Sequence, residues 1–145
     1  MVYKKNQSDV SNTAVTGYRK CHFKLGQKIL SEGDYGEEMF IISNGSVEVS
    51  KLINAKRVIL MNFVRGDFFG EMSLLEGLNR SADVFATEDT ELICISSGGL
   101  LLKIRRDPTF ALEMLCSFSA RLRLANERYG QELNKAYGKK GDFIL

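Results

Sequence analysis

The order of apolar and polar positions changes character once along this chain. Between Tyr18 and Ile95, short apolar runs alternate with turn residues, which predicts strands. Phe23-Lys24-Leu25-Gly26 and Lys28-Ile29-Leu30 are short strand pieces, and Glu32-Gly33-Asp34-Tyr35-Gly36 is a glycine turn cluster. Met39–Ser43 and Ser46–Leu52 flank Asn44-Gly45, which predicts a hairpin closed by a type I′ turn. In the second of these runs Val47 and Val49 alternate with Ser46, Glu48 and Ser50, as on a half-buried strand. Arg57–Val64 reads as a further strand ended by Arg65-Gly66-Asp67, and Asp83–Thr87 with Glu91–Ile95 as another pair around Glu88-Asp89. Strands at this spacing predict a β-barrel or double-sheet roll.

From Asp107-Pro108 onward the period is helical. Asp suits the cap and Pro the first turn. Leu112, Leu115, Phe118, Leu122, Ala125, Tyr129 and Leu133 then fall on one stripe up to about Tyr137, with Gly130 a weak point inside it. The stripe suits packing on the chain's own roll and a two-chain seam equally. The chain therefore divides into a polar arm (1–17) with at most one short strand at Thr13–Thr16, a β-roll (18–107), a long helix (108–137) and a tail (138–145).

Composition narrows the function. Of 145 residues, 20 are Lys or Arg and 18 Asp or Glu, and a net charge of +2 gives no support to nucleic-acid binding. No run is long enough to span a membrane, and no signal-peptide core is present. The three cysteines, Cys21, Cys94 and Cys116, are too far apart for a zinc or iron–sulfur motif and fit a reducing cytoplasm. One histidine, His22, cannot furnish a multi-histidine metal site; with Cys21 it reads as a surface or edge-strand residue, not a haem ligand. No nucleophile–base pair can be assembled, so no enzyme is expected, and no helix-turn-helix follows the long helix. Gly33, Gly36 and Gly45 are taken as turn requirements.

The segment Gly66–Ala82 carries the chemistry. A strand ends at a glycine turn, a short helix starts near Gly70 and stops at Gly77, and Arg80 stands before the next strand. The first turn of a helix presents unpaired N–H groups, and Gly70 permits close approach to them. Arg80 offers a two-pronged donor for phosphate oxygens, and the Ser81 hydroxyl adds another. Glu71 fits this site only as an acceptor for a ligand hydroxyl such as a ribose 2′-OH. The bland alternative is a Glu71–Arg80 ion pair across a turn.

Gly70-Glu71-Met72-Ser73-Leu74-Leu75 with Arg80-Ser81-Ala82 resembles the phosphate-binding cassette of cyclic nucleotide-binding domains, found in bacterial cAMP receptors, kinase regulatory subunits and gated channels. Ile29–Asp34, Met39–Val49, and Asp107-Pro108 with Ala120–Arg123 are similar to further parts of that family, so the likeness runs from about Tyr18 to Leu133. It implies a mainly β, α+β fold: a double-stranded β-helix, or jelly-roll-like β-roll, with a short cassette helix and a long C-terminal helix. It implies that Arg80 binds the cyclic phosphate with Ser81, Ala82 and the backbone at Gly70, Met72 and Ser73, while Glu71 holds the ribose. Val49, Leu60 and Phe63 match positions that line the purine, Arg121 a helix arginine above the ligand, and Asn126 a position near the base edge. Ala125 departs from the hydroxyl residue of the bacterial receptors. The implied ligand is cAMP ahead of cGMP, with no cofactor. The implied role is a cytoplasmic sensor whose long helix responds to ligand or pairs in a homodimer, its effector unassigned. The rivals are a ligand-free interaction module of the same fold and the sensor part of a DNA-binding regulator.

Overall fold

The computed structural model describes residues 18–138; the expected arm and its strand at Thr13–Thr16 lie outside them, as does all of the tail after Gly138. Among the described residues, eight strands and three helices follow in order: β1 (Tyr18–Phe23), β2 (Lys28–Leu30), β3 (Glu38–Asn44), β4 (Ser46–Ile53), β5 (Lys56–Val64), β6 (Phe68–Phe69), α1 (Glu71–Glu76), β7 (Asp83–Ala86), β8 (Thr90–Ser96), α2 (Ser97–Arg106) and α3 (Pro108–Tyr137). The strands build two four-stranded antiparallel sheets, ordered β1-β8-β3-β6 and β2-β7-β4-β5. Both supply the core between them: Phe40, Ile42, Phe69 and Leu92 from one, Ile29, Val47, Phe63 and Val84 from the other. Phe69 stacks on Phe40 at 5.2 Å and on Phe63 at 6.5 Å between ring centroids. Met39, Phe68 and Ile95 are buried on the opposite face of the first sheet. With both faces covered there, Met39–Ile42 reads as an unbroken apolar run and not as an alternation.

Two predicted hairpins are corrected. β3 and β4 adjoin at Gly45 but lie in different sheets, β3 bonding to β6 and β8 and β4 to β5 and β7. Only Gly45 (φ 94°) of that pair has a positive φ. Its backbone crosses Thr90, where a Cβ would come within 2.4 Å of Oγ1. The turn with two positive-φ residues is Asn54-Ala55 (50° and 63°), between the paired Ile53 and Lys56. Likewise β7 and β8 are consecutive yet belong to opposite sheets. In a roll the chain passes from sheet to sheet, so a sharp glycine bend need not return a strand to its predecessor. Of the run Phe23–Gly26, only Phe23 is strand; Lys24–Gln27 is a turn closed by the Gln27 N–H on the Lys24 carbonyl at 3.0 Å.

The chain separates into two compact units between Leu102 and Lys103. α2, which the glycine pair Gly98-Gly99 conceals in the sequence, begins where the Gly99 N–H donates to Ser96 Oγ at 3.2 Å. In the second unit α3 has Pro108 in its first turn, while Asp107 caps by position only, without a side-chain bond. Lys103 Nζ lies 4.7 Å from the Phe110 ring centre. Leu112, Leu115, Leu122 and Tyr129 are exposed along α3. Among the described residues no helix is long and apolar enough to cross a membrane.

Candidate anion site at Arg80

The site begins as a backbone arrangement. β6 ends at Phe69, and Gly70 turns into the left-handed region (φ 80°, ψ 7°) at the start of α1. Gly77 ends the helix in the same region, its N–H donating to the Ser73 carbonyl at 3.1 Å. The chain then reaches Arg80, whose backbone is clasped to the Ser31–Asp34 turn. The Gly33 N–H donates to the Arg80 carbonyl and the Arg80 N–H to the Asp34 carbonyl, both at 2.8 Å. The side chain is therefore aimed before any ligand is considered.

Arg80 is buried, 7% exposed. Its Nη1 donates to the Glu38 carbonyl at 2.9 Å and the Gly70 carbonyl at 3.1 Å, and its Cζ lies 5.5 Å from the Phe40 ring centre. Within the protein the guanidinium makes both hydrogen bonds from Nη1. No buried polar side-chain atom among the described residues lacks a partner, so the Nε–Nη2 edge keeps access to open space. Arg80 lines a cavity of about 260 Å³ together with Arg19, Phe23, Ile29, Gly36, Glu38 and Phe40 among others. Burial holds the guanidinium below its ordinary pKa, against the charges of Glu38, Asp34 and Glu71, which push it up; arginine stays protonated throughout.

The sequence missed three participants. Gly36, read as a turn glycine, has no positive φ; its role is steric. A Cβ there would lie 2.3 Å from Arg80 Nη2 and 2.6 Å from Cζ and Nε, so the guanidinium lies where a side chain would start. A second glycine in a cluster whose bend needs only one was the available signal. Glu38 orients Arg80 through its carbonyl, and Arg19 takes the Glu38 carboxylate through Nη2–Oε2 at 2.8 Å and Nε–Oε1 at 3.3 Å. Nothing in the sequence pairs residues 19 and 38.

Of the residues expected at the site, Gly70, Glu71 and Arg80 come together: a Cβ at Gly70 would lie 3.0 Å from Nη1, and the charge of Glu71 bears on the guanidinium. Ser73 and Ala82 are buried, Met72 and Ser81 exposed. Val49 and Leu60 are half-buried, Val49 packed against the core that contains Phe63. None of these lines the cavity at Arg80. Arg121 and Asn126 stand on α3 in the second unit, half-buried there. His22 is exposed on edge strand β1, next to Glu91 at 3.7 Å. Among the described residues no cluster suited to a metal occurs.

A two-sheet antiparallel roll interrupted between β6 and β7 by a short helix and a buried arginine is a jelly-roll. Residues 20–107, more than half of the chain, match the cyclic nucleotide-binding domain family, and the chain belongs to that family. It is similar to the cyclic AMP receptor protein of Thermus thermophilus, with 32% identity over 114 residues, 78% of this chain and 53% of the relative. The crystal structure of the Thermus thermophilus catabolite activator protein superposes with a TM-score of 0.71 at 30% identity, over 81% of this chain and 56% of the other. A cGMP-dependent protein kinase of Toxoplasma gondii is 40% identical over 81 residues, 56% of this chain but 8% of the kinase. The chain thus spans about half the length of the bacterial relative and a small part of the kinase.

Proposed function

We propose that the chain is a regulatory cyclic-nucleotide sensor that binds cAMP in preference to cGMP. The observation that carries this reading is the buried Arg80, fixed through Nη1 with its Nε–Nη2 edge unclaimed by the protein. A buried cation without a full set of partners is unfavourable and is relieved by an anion. The cyclic phosphate binds there, with Ser81, Ala82 and the backbone of Gly70, Met72 and Ser73 completing the cassette. Glu71 accepts from the ribose 2′-OH, and Val49, Leu60 and Phe63 cover the purine. Arg121 and Asn126 are assigned to the same ligand by the resemblance alone. The named cyclic AMP receptor among the relatives supports cAMP, and the named cGMP-dependent kinase keeps cGMP as the competitor.

Binding favours one position of α3 over another, to the extent that the nucleotide binds the two states differently. The exposed Leu112, Leu115, Leu122 and Tyr129 support pairing of two chains along this helix. The protein regulates and does not catalyse, and works in the cytoplasm, in keeping with its three free thiols.

Calorimetric titration with cAMP, cGMP and 2′-deoxy-cAMP tests the ligand assignment. cAMP is expected to bind tighter than cGMP, and loss of the 2′-hydroxyl to weaken it about tenfold, the scale of one charge-assisted bond. Equal affinity for the deoxy compound would remove Glu71 from its role. Cys116 is exposed while Cys21 and Cys94 are buried, and a bond from Cys21 together with burial pushes the Cys94 thiol up, so a thiol-reactive dye will report from α3. A dye signal that ignores saturating cAMP would count against the helix movement.

A further inference from the structure

Arg80 has three acidic neighbours, and Glu38 exerts the largest effect of the three. Its carbonyl already accepts from Nη1 at 2.9 Å, so its own side chain starts beside the guanidinium. Glu38 and Arg80 line the same cavity, which leaves room for that carboxylate to swing toward the unclaimed Nε–Nη2 edge. Such a contact would place a carboxylate where an anionic ligand is expected, and a fixed neighbour competes at high effective concentration. In the structure the swing does not occur. Arg19, on β1, holds both carboxylate oxygens in a two-pronged pair. It is well placed for this: its side chain is 9% exposed, and its Nη1 is anchored on Cys21 Sγ at 2.7 Å. A bidentate arginine pair of this kind is among the stronger side-chain interactions.

From this we infer that Arg19 is a positioning residue for the anion site: by detaining the Glu38 carboxylate it keeps the outer edge of Arg80 open for ligand. The inference rests on Arg80 being the phosphate receptor. It assigns to a strand outside the cassette a role in affinity, exercised through a residue that contributes its carbonyl to the site and has its carboxylate withheld.

The test is a mutant cycle on the whole chain, read by calorimetry with cAMP and cGMP. Arg19→Ala should lower affinity by about tenfold, the order expected when a nearby charge competes at a partly buried site. Glu38→Gln alone removes the competing charge while its carbonyl remains, and its affinity is the reference for the double variant. The double variant Arg19→Ala/Glu38→Gln should recover affinity to within about threefold, because the competitor is gone. Arg19→Gln, which keeps length and a donor without the charge, carries the same expectations if the alanine variant does not fold. Parent-like affinity in the single Arg19 variant overturns the inference. So does a double variant as weak as the single, which would mean that Arg19 acts through the fold and not through Glu38. A parent chain that binds neither nucleotide overturns the functional reading itself, and the inference with it.

Discussion

Arg80 and Asp83 stand three residues apart, at the entrance to β7, and both are buried charges, yet their surroundings are opposite. Asp83 is saturated. It accepts from the Glu32 N–H at 2.8 Å, from Arg57 Nη1 at 3.1 Å and from Lys28 Nζ at 3.2 Å. Burial alone would push its carboxyl up, but these donors together hold it below the usual carboxylate range. Arg57 also donates to the fully buried Ser50 Oγ at 2.8 Å, so the cluster ties β2, β4, β5 and β7 together. Arg80 has two carbonyls on one nitrogen, an aromatic face below, and an edge that the protein leaves unfilled. A finished buried ion pair serves the fold; an unfinished one holds a place for something else.

The sharpest test of the contrast is Arg80→Ala. It should weaken cAMP binding by about a hundredfold or more, some 3 kcal/mol, since a charge-assisted phosphate contact is lost. Its melting temperature should change little, because Glu38, whose carbonyl Arg80 holds, lines a cavity from which water can replace the lost donor. Asp83→Asn should do the reverse. It should cost about 2 kcal/mol of stability in denaturant titration while affinity stays within about twofold. Comparable losses of affinity in the two variants would erase the distinction. The pH dependence has a definite sign. The folded pKa of Asp83 is depressed, so its contribution is complete above the ordinary Asp value of about 4 and fades as pH falls through the lower folded value. Urea midpoints of the parent should therefore drop below about pH 4 more steeply than those of Asp83→Asn. Gly36→Ala makes the smallest change. The new methyl must displace the guanidinium, so affinity should fall about tenfold with no measurable change in melting temperature. Parent-like affinity there would show that the arginine's resting position does not matter to binding.

Much of this was legible along the chain. α3 follows its stripe from Pro108 to Tyr137, and α1 sits between the two glycines that bound it, because capping, spacing and backbone permissiveness are local properties. Arg80 too was visible, as a cation behind a glycine-bounded helical turn. The sheet partners were not. Asn44-Gly45 and Glu88-Asp89 bend the chain without pairing the strands they join, while Asn54-Ala55 forms the true hairpin without a glycine.

The sequence by itself marked the bounds of α1 and α3 and singled out Arg80 as the candidate partner of an anion. Only the tertiary structure decided which sheet each strand enters, why Gly36 lacks a side chain, and that Arg19 restrains Glu38 beside Arg80. The reason is physical. Period and caps are set by neighbours within a turn or a strand, whereas charge partners and steric slots are set by surfaces that meet only after both sheets have closed on one core.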